Sequence, residues 1–316
     1  MKHSSFQLKH VSAGVLALLS GLAMAAPVVV GNMTDGQIRL TADYALPSSG
    51  SSVDGMAIEP PSITATGADF YHSPSTAEGS LFFHTYGDAG ATSYFGARVT
   101  GSGSFSASTS TRYSRTFTNT TGVAQLFNFA FHVDSGELGI GGTGLGFADL
   151  LLQVSKDGVA VARDRTTRTQ AADGSSTCTS DDLGSLASYM SCGSEYASDA
   201  VFNVSMGMIG VGESFTLDYD IVATVSGDLQ SDGGGYGDCP TLAAKGGLAP
   251  AFEGCNNGGA GSATARSGDP FGWGNPSNFN ISPTASVPEP DTLALLGLSL
   301  AGLAATTRRR KGASQA

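Results

Sequence analysis

The stretch that decides the fold is AQLFNFAFHVD, residues 124–134. From residue 127 onwards its odd-numbered positions hold three phenylalanines and a valine, whereas its even-numbered positions include Asn128 and His132. Successive side chains of a β-strand point to opposite faces of the sheet. The alternation therefore predicts a strand with one aromatic face in a core and one more polar face turned outwards.

The same period of two recurs along the first two thirds of the chain. The segments concerned are residues 37–43, 80–86, 92–100, 111–119, 200–210 and 214–226, together with a hairpin at 149–162. The hairpin turns at Asp157-Gly158, a pair typical of two-residue β-turns. Roughly eight to ten short strands predict an all-β fold, a β-sandwich with a jelly-roll as the alternative. We assign this ectodomain to residues 26–226, with one short helix at 183–190.

Composition supports an all-β chain and excludes one class of function. Charged residues make up only 14% of the 316 residues, and glycine numbers 44, which argues against a helical bundle. Residues 227–286 are rich in Gly, Ser and Asn and are predicted to form loops and a linker. The net charge of -11 excludes a general nucleic-acid binder, because such a protein needs a basic surface.

The first 25 residues have the three parts of a signal peptide. Lys2 and Lys9 make the start basic, residues 11–22 form an apolar run, and Ala23-Met24-Ala25 is the small-x-small pattern that a signal peptidase recognises. A buried N-terminal helix is the alternative, but the three parts occur in the order that export requires. We therefore predict cleavage after Ala25.

The C-terminal region combines a proline motif, an apolar run and a cluster of cations. It consists of Val287, Pro288, Glu289 and Pro290, then the uncharged residues 292–307, then Arg308, Arg309, Arg310 and Lys311. As a helix, residues 292–307 span about 24 Å, less than the ~30 Å hydrocarbon core of a bilayer. The cations favour a single transmembrane helix over a buried one. A basic cluster after an apolar run stops transfer and stays cytoplasmic, and its long side chains reach the interface.

This order of parts, residues 287–311, resembles the PEP-CTERM sorting signal. The family commonly has Ser after the second proline, where this chain has Asp291. The resemblance implies a Gram-negative bacterium and an inner-membrane exosortase that cleaves near Pro288-Glu289-Pro290. The protein would be a membrane-embedded precursor first and would then reach the cell surface or the extracellular space, with exopolysaccharide as a candidate partner. The two prolines would keep the scissile region extended and out of the helix.

Four cysteines, Cys178, Cys192, Cys239 and Cys255, all lie in the exported part. Three pairings are open, and we favour Cys178–Cys192 with Cys239–Cys255, because each would close a short loop that has little core of its own. An oxidising compartment favours disulfides. A metal site is the alternative, but the sequence has no C-x-x-C pair and no histidine close to a cysteine.

No catalytic motif is recognisable. Residues 139–144 match G-x-G-x-x-G, but a strand-like run follows where a dinucleotide site needs a helix, so we expect a glycine-rich β-turn. Asp218 and Asp220 share one face of a predicted strand, where they could act as a carboxylate pair in glycoside hydrolysis or bind Ca²⁺. We expect both aspartates to lie on a solvated strand face.

Metal and cofactor sites are not expected from the remaining candidates. Three histidines survive export, and we expect His84 and His132 to be half-buried side chains beside aromatics rather than shared ligands. Asp228, Asp232 and Asp238 are a loose second candidate for Ca²⁺. The single tryptophan, Trp273, lies outside the predicted strands, which weakens a carbohydrate-binding interpretation.

The sequence favours a non-enzymatic, exported protein of the cell surface or extracellular matrix. Its processing enzymes would be signal peptidase and exosortase, and the biological setting of exosortase suggests a biofilm matrix. The alternative is a glycan-binding or adhesin module, with Ca²⁺ as the one candidate ion. A glycoside hydrolase ranks below both.

Overall fold

The computed structural model describes residues 36–48, 51–53, 68–88, 94–187, 189–197, 199–230, 261–268 and 280–283. Within these ranges the chain forms fifteen β-strands and one 3-10 turn at Gly184–Leu186. The strands are β1 (Gln37–Ser48), β2 (Ser51–Val53), β3 (Ala68–His72), β4 (Gly79–Asp88), β5 (Tyr94–Thr118), β6 (Gln125–Val133), β7 (Ser135–Gly141), β8 (Thr143–Lys156), β9 (Val159–Gln170), β10 (Ser176–Ser180), β11 (Tyr196–Ala197), β12 (Ala200–Ile209), β13 (Ser214–Gln230), β14 (Ser262–Gly268) and β15 (Asn280–Pro283).

The all-β prediction is confirmed, with corrections to individual elements. The predicted strands at 92–100 and 111–119 are the two ends of one strand, β5. The predicted helix at 183–190 is limited to a 3-10 turn. The stretch 227–286, expected to be loop and linker, contains the end of β13 and the strands β14 and β15. In β14 the buried face consists of small residues, Ala263, Ala265 and Ser267, so the segment lacks the large alternating side chains that mark the predicted strands.

The strands form a 12-stranded sheet and a 3-stranded sheet, and β5 divides the larger one into two parts that we call sheets I and II. Sheet I contains β1, the second half of β5, β13, β8, β9 and β10, in spatial order. Sheet II contains β3, β4, the first half of β5, β14, β7 and β11. Sheet III contains β12, β6 and β15, and β2 forms a hairpin with β1. All of these pairings are antiparallel, as expected for a chain built from hairpins and meanders.

Strand β5 passes from sheet II to sheet I at Gly103. This residue has φ +76°, and a Cβ added to it would lie 2.2 Å from the carbonyl oxygen of Glu78. Glycine is the residue that tolerates both conditions. Beyond this corner the buried Thr111 Oγ1 donates to the carbonyl of Gly96 at 2.6 Å, which ties the second half of the strand to the first. Because of this bend, the two halves of β5 pair with the strands of two different sheets.

Aromatic side chains join the sheets into a layered sandwich. Tyr219 of β13 contacts Phe95 of sheet II and Phe131 of sheet III, with ring centroids 6.0 and 4.8 Å apart. Phe127 and Phe215 make a second contact between sheets III and I. Sheets II and III therefore both pack on the inner face of sheet I. The three phenylalanines of residues 124–134 are fully buried, as their alternation predicts.

The glycine-rich residues 139–144 join β7 to β8. Gly142 and Gly144 have φ +93° and +114°. The match to G-x-G-x-x-G is thus a bend at Gly142 that leads from β7 of sheet II into β8 of sheet I, and a strand follows it where a dinucleotide site needs a helix. The predicted β-turn is wrong in detail, because in the described residues β7 pairs with β14 and β11, and β8 pairs with β13 and β9. Asp157 and Gly158 of the β8–β9 hairpin also have positive φ, which agrees with a two-residue turn of the primed type.

In the part of the chain that the structure describes, no helix is long and apolar enough to cross a membrane. The predicted signal peptide and transmembrane run lie outside the described residues, as do Trp273, Asp232 and Asp238.

Candidate functional site

One row of cross-strand partners crosses the whole width of sheet II on its outer face. The six residues, in order from β3 to β11, are Tyr71, His84, Arg98, Arg266, Glu137 and Tyr196. We call this set the sheet II row. Directly opposed residues of neighbouring strands share a face, and chain neighbours such as Phe83, Val99 and Leu138 are buried in the core on the other face. Five steps of about 4.8 Å between strands give the row a span of roughly 24 Å.

The ends of the sheet II row are exposed tyrosines. Tyr71 is 51% exposed and Tyr196 is 60% exposed. Each lies on an edge strand of sheet II, so each ring is open to solvent on one side. A tyrosine ring is a largely apolar platform with one polar tip, a type of side chain that is common at binding surfaces.

Further aromatic rings widen the row at its β3–β4 end. Tyr71 lies edge-on to Phe82, with ring centroids 5.1 Å apart, and its ring is 6.2 Å from that of His84. His84 contacts Tyr86 at 4.9 Å, and Tyr86 contacts the exposed Tyr94 at 5.7 Å. These five rings form one connected aromatic cluster, in which Tyr86 is buried and the other four rings are partly or mostly exposed.

Two glycines allow Tyr86 to lie against the sheet. A Cβ added to Gly96 would be 2.3 Å from Cζ of Tyr86, and a Cβ added to Gly268 would be 2.3 Å from its hydroxyl oxygen. Any larger residue at either position would displace the ring. The local glycines therefore have a packing role that composition alone does not reveal.

The middle of the sheet II row is charged. Arg266 Nε lies 2.6 Å from Glu137 Oε2, and the guanidinium of Arg98 lies over the Phe82 ring at 5.1 Å from its centroid. Burial, reinforced by the neighbouring Arg266 and opposed by Glu137, lowers the pKa of Arg98 to about 10. Arg98 remains cationic at neutral pH.

His84 belongs both to the row and to an ion-pair contact. Its Nε2 lies 3.1 Å from Asp69 Oδ1. Burial lowers the pKa of His84, and Asp69 opposes this shift. The expectation that His84 is a partly buried side chain beside aromatics is confirmed.

A row of this composition suits a polyhydroxylated ligand. Aromatic rings can pack against the C–H faces of a sugar, while arginine, glutamate and histidine exchange hydrogen bonds with its hydroxyl groups. The sequence did not predict this row, because its members come from six strands between residues 71 and 266.

The carboxylate pair predicted at Asp218 and Asp220 is held by one arginine. Arg112 Nη2 lies 3.0 Å from Asp218 Oδ2, and its Nε lies 3.7 Å from Asp220 Oδ1. Asp218 is buried rather than solvated, so the expected solvated face is wrong at this position. Burial raises the pKa of Asp220 to about 6; Arg112 opposes the shift and Asp218 adds to it. The arrangement is that of a structural ion pair in the middle of sheet I.

Of the predicted disulfides, Cys178–Cys192 is present. It links the edge strand β10 to the segment before β11. Arg168, the partner of Cys178 on β9, donates from Nη2 to the carbonyl of Ser194 in the same segment. Cys239 and Cys255 lie outside the described residues, so their pairing stays a prediction.

The predicted sorting residues, Val287 to Pro290 and Arg308 to Lys311, also lie outside the described residues. A family model described as PEP-CTERM protein-sorting motif matches residues 286–310. No match was found among curated proteins. The family match covers the proline motif, the apolar run and the first three cations. The chain therefore carries a PEP-CTERM protein-sorting motif, which marks it as an exported protein sorted to the cell envelope or surface.

Proposed function

We propose that this protein is a non-enzymatic component of the cell surface or extracellular matrix, released from a membrane-embedded precursor by exosortase. The observation that carries the proposal is the sorting motif at residues 286–310 behind an all-β domain. Signal peptidase would remove residues 1–25, and the apolar run 292–307 would hold the precursor in the inner membrane.

The described domain has the properties of a protein that works outside the cytoplasm. Its Cys178–Cys192 disulfide is stable in an oxidising compartment and uncommon in a reducing one. Its edge strand β10 is fastened by that disulfide, which limits pairing with other chains. Both features support the surface or matrix role.

The experiment is a block of processing. Replacing Pro288, Glu289 and Pro290 by Ala should leave a full-length precursor in the membrane fraction of a host that carries the exosortase. The apolar run would still insert, because its residues each favour insertion by a few tenths of a kcal/mol. Asp291→Ser, which restores the residue common in the family, is the matched control and should be processed like the wild type. Equal processing of the triple variant would contradict the proposal.

The sheet II row favours a second candidate function, the binding of a glycan chain. Its span of roughly 24 Å is several times the width of one sugar ring, so the ligand would be an oligosaccharide or polysaccharide lying across the strands. Exposed tyrosines at both ends would stack on sugar rings, and Arg98 and Glu137 between them would supply polar contacts. An exopolysaccharide is the ligand class that fits both this geometry and the sorting motif.

A glycan-binding screen of the exported protein, with and without Ca²⁺, tests this candidate. Tyr71→Ala and Tyr196→Ala should each weaken binding by about 5- to 150-fold, the equivalent of roughly 1–3 kcal/mol for the loss of an aromatic contact. Val159→Ala is the control, because Val159 is 68% exposed but lies on β9 of sheet I. Binding that survives both tyrosine substitutions would exclude the row as the site.

A further inference from the structure

A histidine and two aspartates meet at one end of sheet III. His132 is the penultimate residue of β6, Asp134 follows the strand, and Asp199 directly precedes β12. Val133 and Ala200 are paired in the ladder, so Asp134 and Asp199 are the next residues on either side of the open strand end. One ligand atom from each of the three residues lies within 4.8 Å of the other two, and His132 Nε2 contacts Asp199 Oδ1.

The three side chains differ in exposure in a way that suits an ion-binding site. The His132 side chain is only 8% exposed, whereas that of Asp199 is 63% exposed. Asp134 is intermediate. The imidazole is thus fixed by its surroundings, while a carboxylate faces solvent and leaves a path for an ion to enter.

The charge at this strand end differs from that at two buried carboxylate sites of sheet I. Asp218 and Asp220 share Arg112, and Asp149 is paired with Arg165. In the described part of the chain, neither Asp134 nor Asp199 is paired with a lysine or arginine. Two carboxylates therefore lie beside one imidazole, and His132 is the ion-pair partner of Asp199 in the described part of the chain.

We propose that His132, Asp134 and Asp199 bind a divalent transition-metal ion, with Zn²⁺ as the best fit. One imidazole nitrogen and two carboxylate oxygens form a mixed N/O set that suits Zn²⁺, whereas Ca²⁺ takes six to eight oxygen ligands. Zn²⁺ binding would require the two carboxylates to move until all three ligand atoms lie about 2.0–2.2 Å from the ion. Three protein ligands leave at least one coordination position for water or an external group.

The sequence predicted no such site, because His132 and Asp199 are 67 residues apart in the chain. The antiparallel pairing of β6 with β12 brings them together. An ion at this position would clamp the beginning of β12 to the end of β6. Metal binding should therefore stabilise the folded state by mass action.

The test uses tag-free, oxidised, metal-depleted protein, with ZnCl₂ as the probe and CaCl₂ as the comparison. Titration calorimetry should give saturable uptake of one Zn²⁺ per chain at this site, with a rise in melting temperature that Ca²⁺ does not produce. Asp199→Asn and Asp134→Asn should each weaken Zn²⁺ binding by at least about 10-fold. Asp199 is mostly exposed, so its substitution should leave the fold intact, as circular dichroism would verify.

The matched control is Asp69→Asn, which alters the other histidine–aspartate contact, with His84. This variant should bind Zn²⁺ like the wild type. Wild-type protein that takes up no Zn²⁺ would overturn the proposal. Uptake that is unchanged in both Asp134→Asn and Asp199→Asn would overturn it as well.

Discussion

Loss of the Cys178–Cys192 disulfide should lower the stability of the domain by about 3 kcal/mol. The two cysteines are 14 residues apart, and on the chain-entropy model a loop of this length is worth about 3 kcal/mol at 25 °C. The loop contains Leu186 and Met190, both fully buried in the core. Without the disulfide, the unfolded chain gains the conformational entropy of this loop. In the folded state, the remaining contacts, among them the burial of Leu186 and Met190, then keep the loop in place.

The assay compares denaturant unfolding of the oxidised wild type with that of a Cys178→Ser, Cys192→Ser double variant. For a domain of about 200 residues, a loss of about 3 kcal/mol corresponds to a melting temperature lower by roughly 6–12 °C. Adding reductant to the double variant provides the control, because any further loss must come from Cys239 and Cys255. A double variant within about 0.5 kcal/mol of the wild type would refute the reasoning, since surface substitutions alone have effects of that size.

Three further predictions concern the core and its pH dependence. Burial raises the pKa of Asp164 from 3.8 to about 6. Stability should therefore fall as pH rises through that window, because the folded state retains the proton that the unfolded state releases. Asp164→Asn should make this decline shallower in unfolding measurements, and the part contributed by Asp220, whose pKa is raised to the same value, should remain. Gly103→Ala should cost about 1–3 kcal/mol in denaturant unfolding, because it combines a positive φ with a clash against Glu78. Phe131→Ala should cost about 3–5 kcal/mol, whereas the exposed Val159→Ala should be near neutral in the same assay.

The parts of the fold that were predictable from sequence are those with large alternating side chains. Residues 127–133 and 215–221 place aromatics or branched residues at every second position, and both segments lie in strands with those residues buried. The hairpin turn at Asp157-Gly158 was predictable because few residue pairs accept positive φ twice in succession.

Two of the missed stretches, the middle of β5 and the strand β14, have small residues where the predicted strands have large ones. The middle of β5 alternates Ser106, Ser108 and Ser110 outside with Ala107 and Thr109 inside. This pattern has period two, but its inward and outward residues differ little in hydropathy. From sequence alone, it therefore resembles a polar linker. The strand β14 was missed for the same reason, because alanines form its buried face.

The candidate sites could not be predicted because they depend on strand pairing over long distances in the chain. Arg266 and Glu137 meet only because β14 pairs with β7. Asp199 reaches His132 only through the β6–β12 ladder. The sorting motif is the opposite case, since it is a continuous segment whose order of parts can be read directly from the chain.

The central claim, that the tail is a sorting signal which exosortase removes, is tested most directly by C-terminal mass spectrometry. The protein would be recovered from the cell surface or medium of a host that carries the exosortase. We predict a mature C-terminus near Pro290, with residues 292–316 missing. Recovery of most surface-exposed molecules with an intact Ala316 would mean that the tail is a permanent anchor, and would contradict the claim.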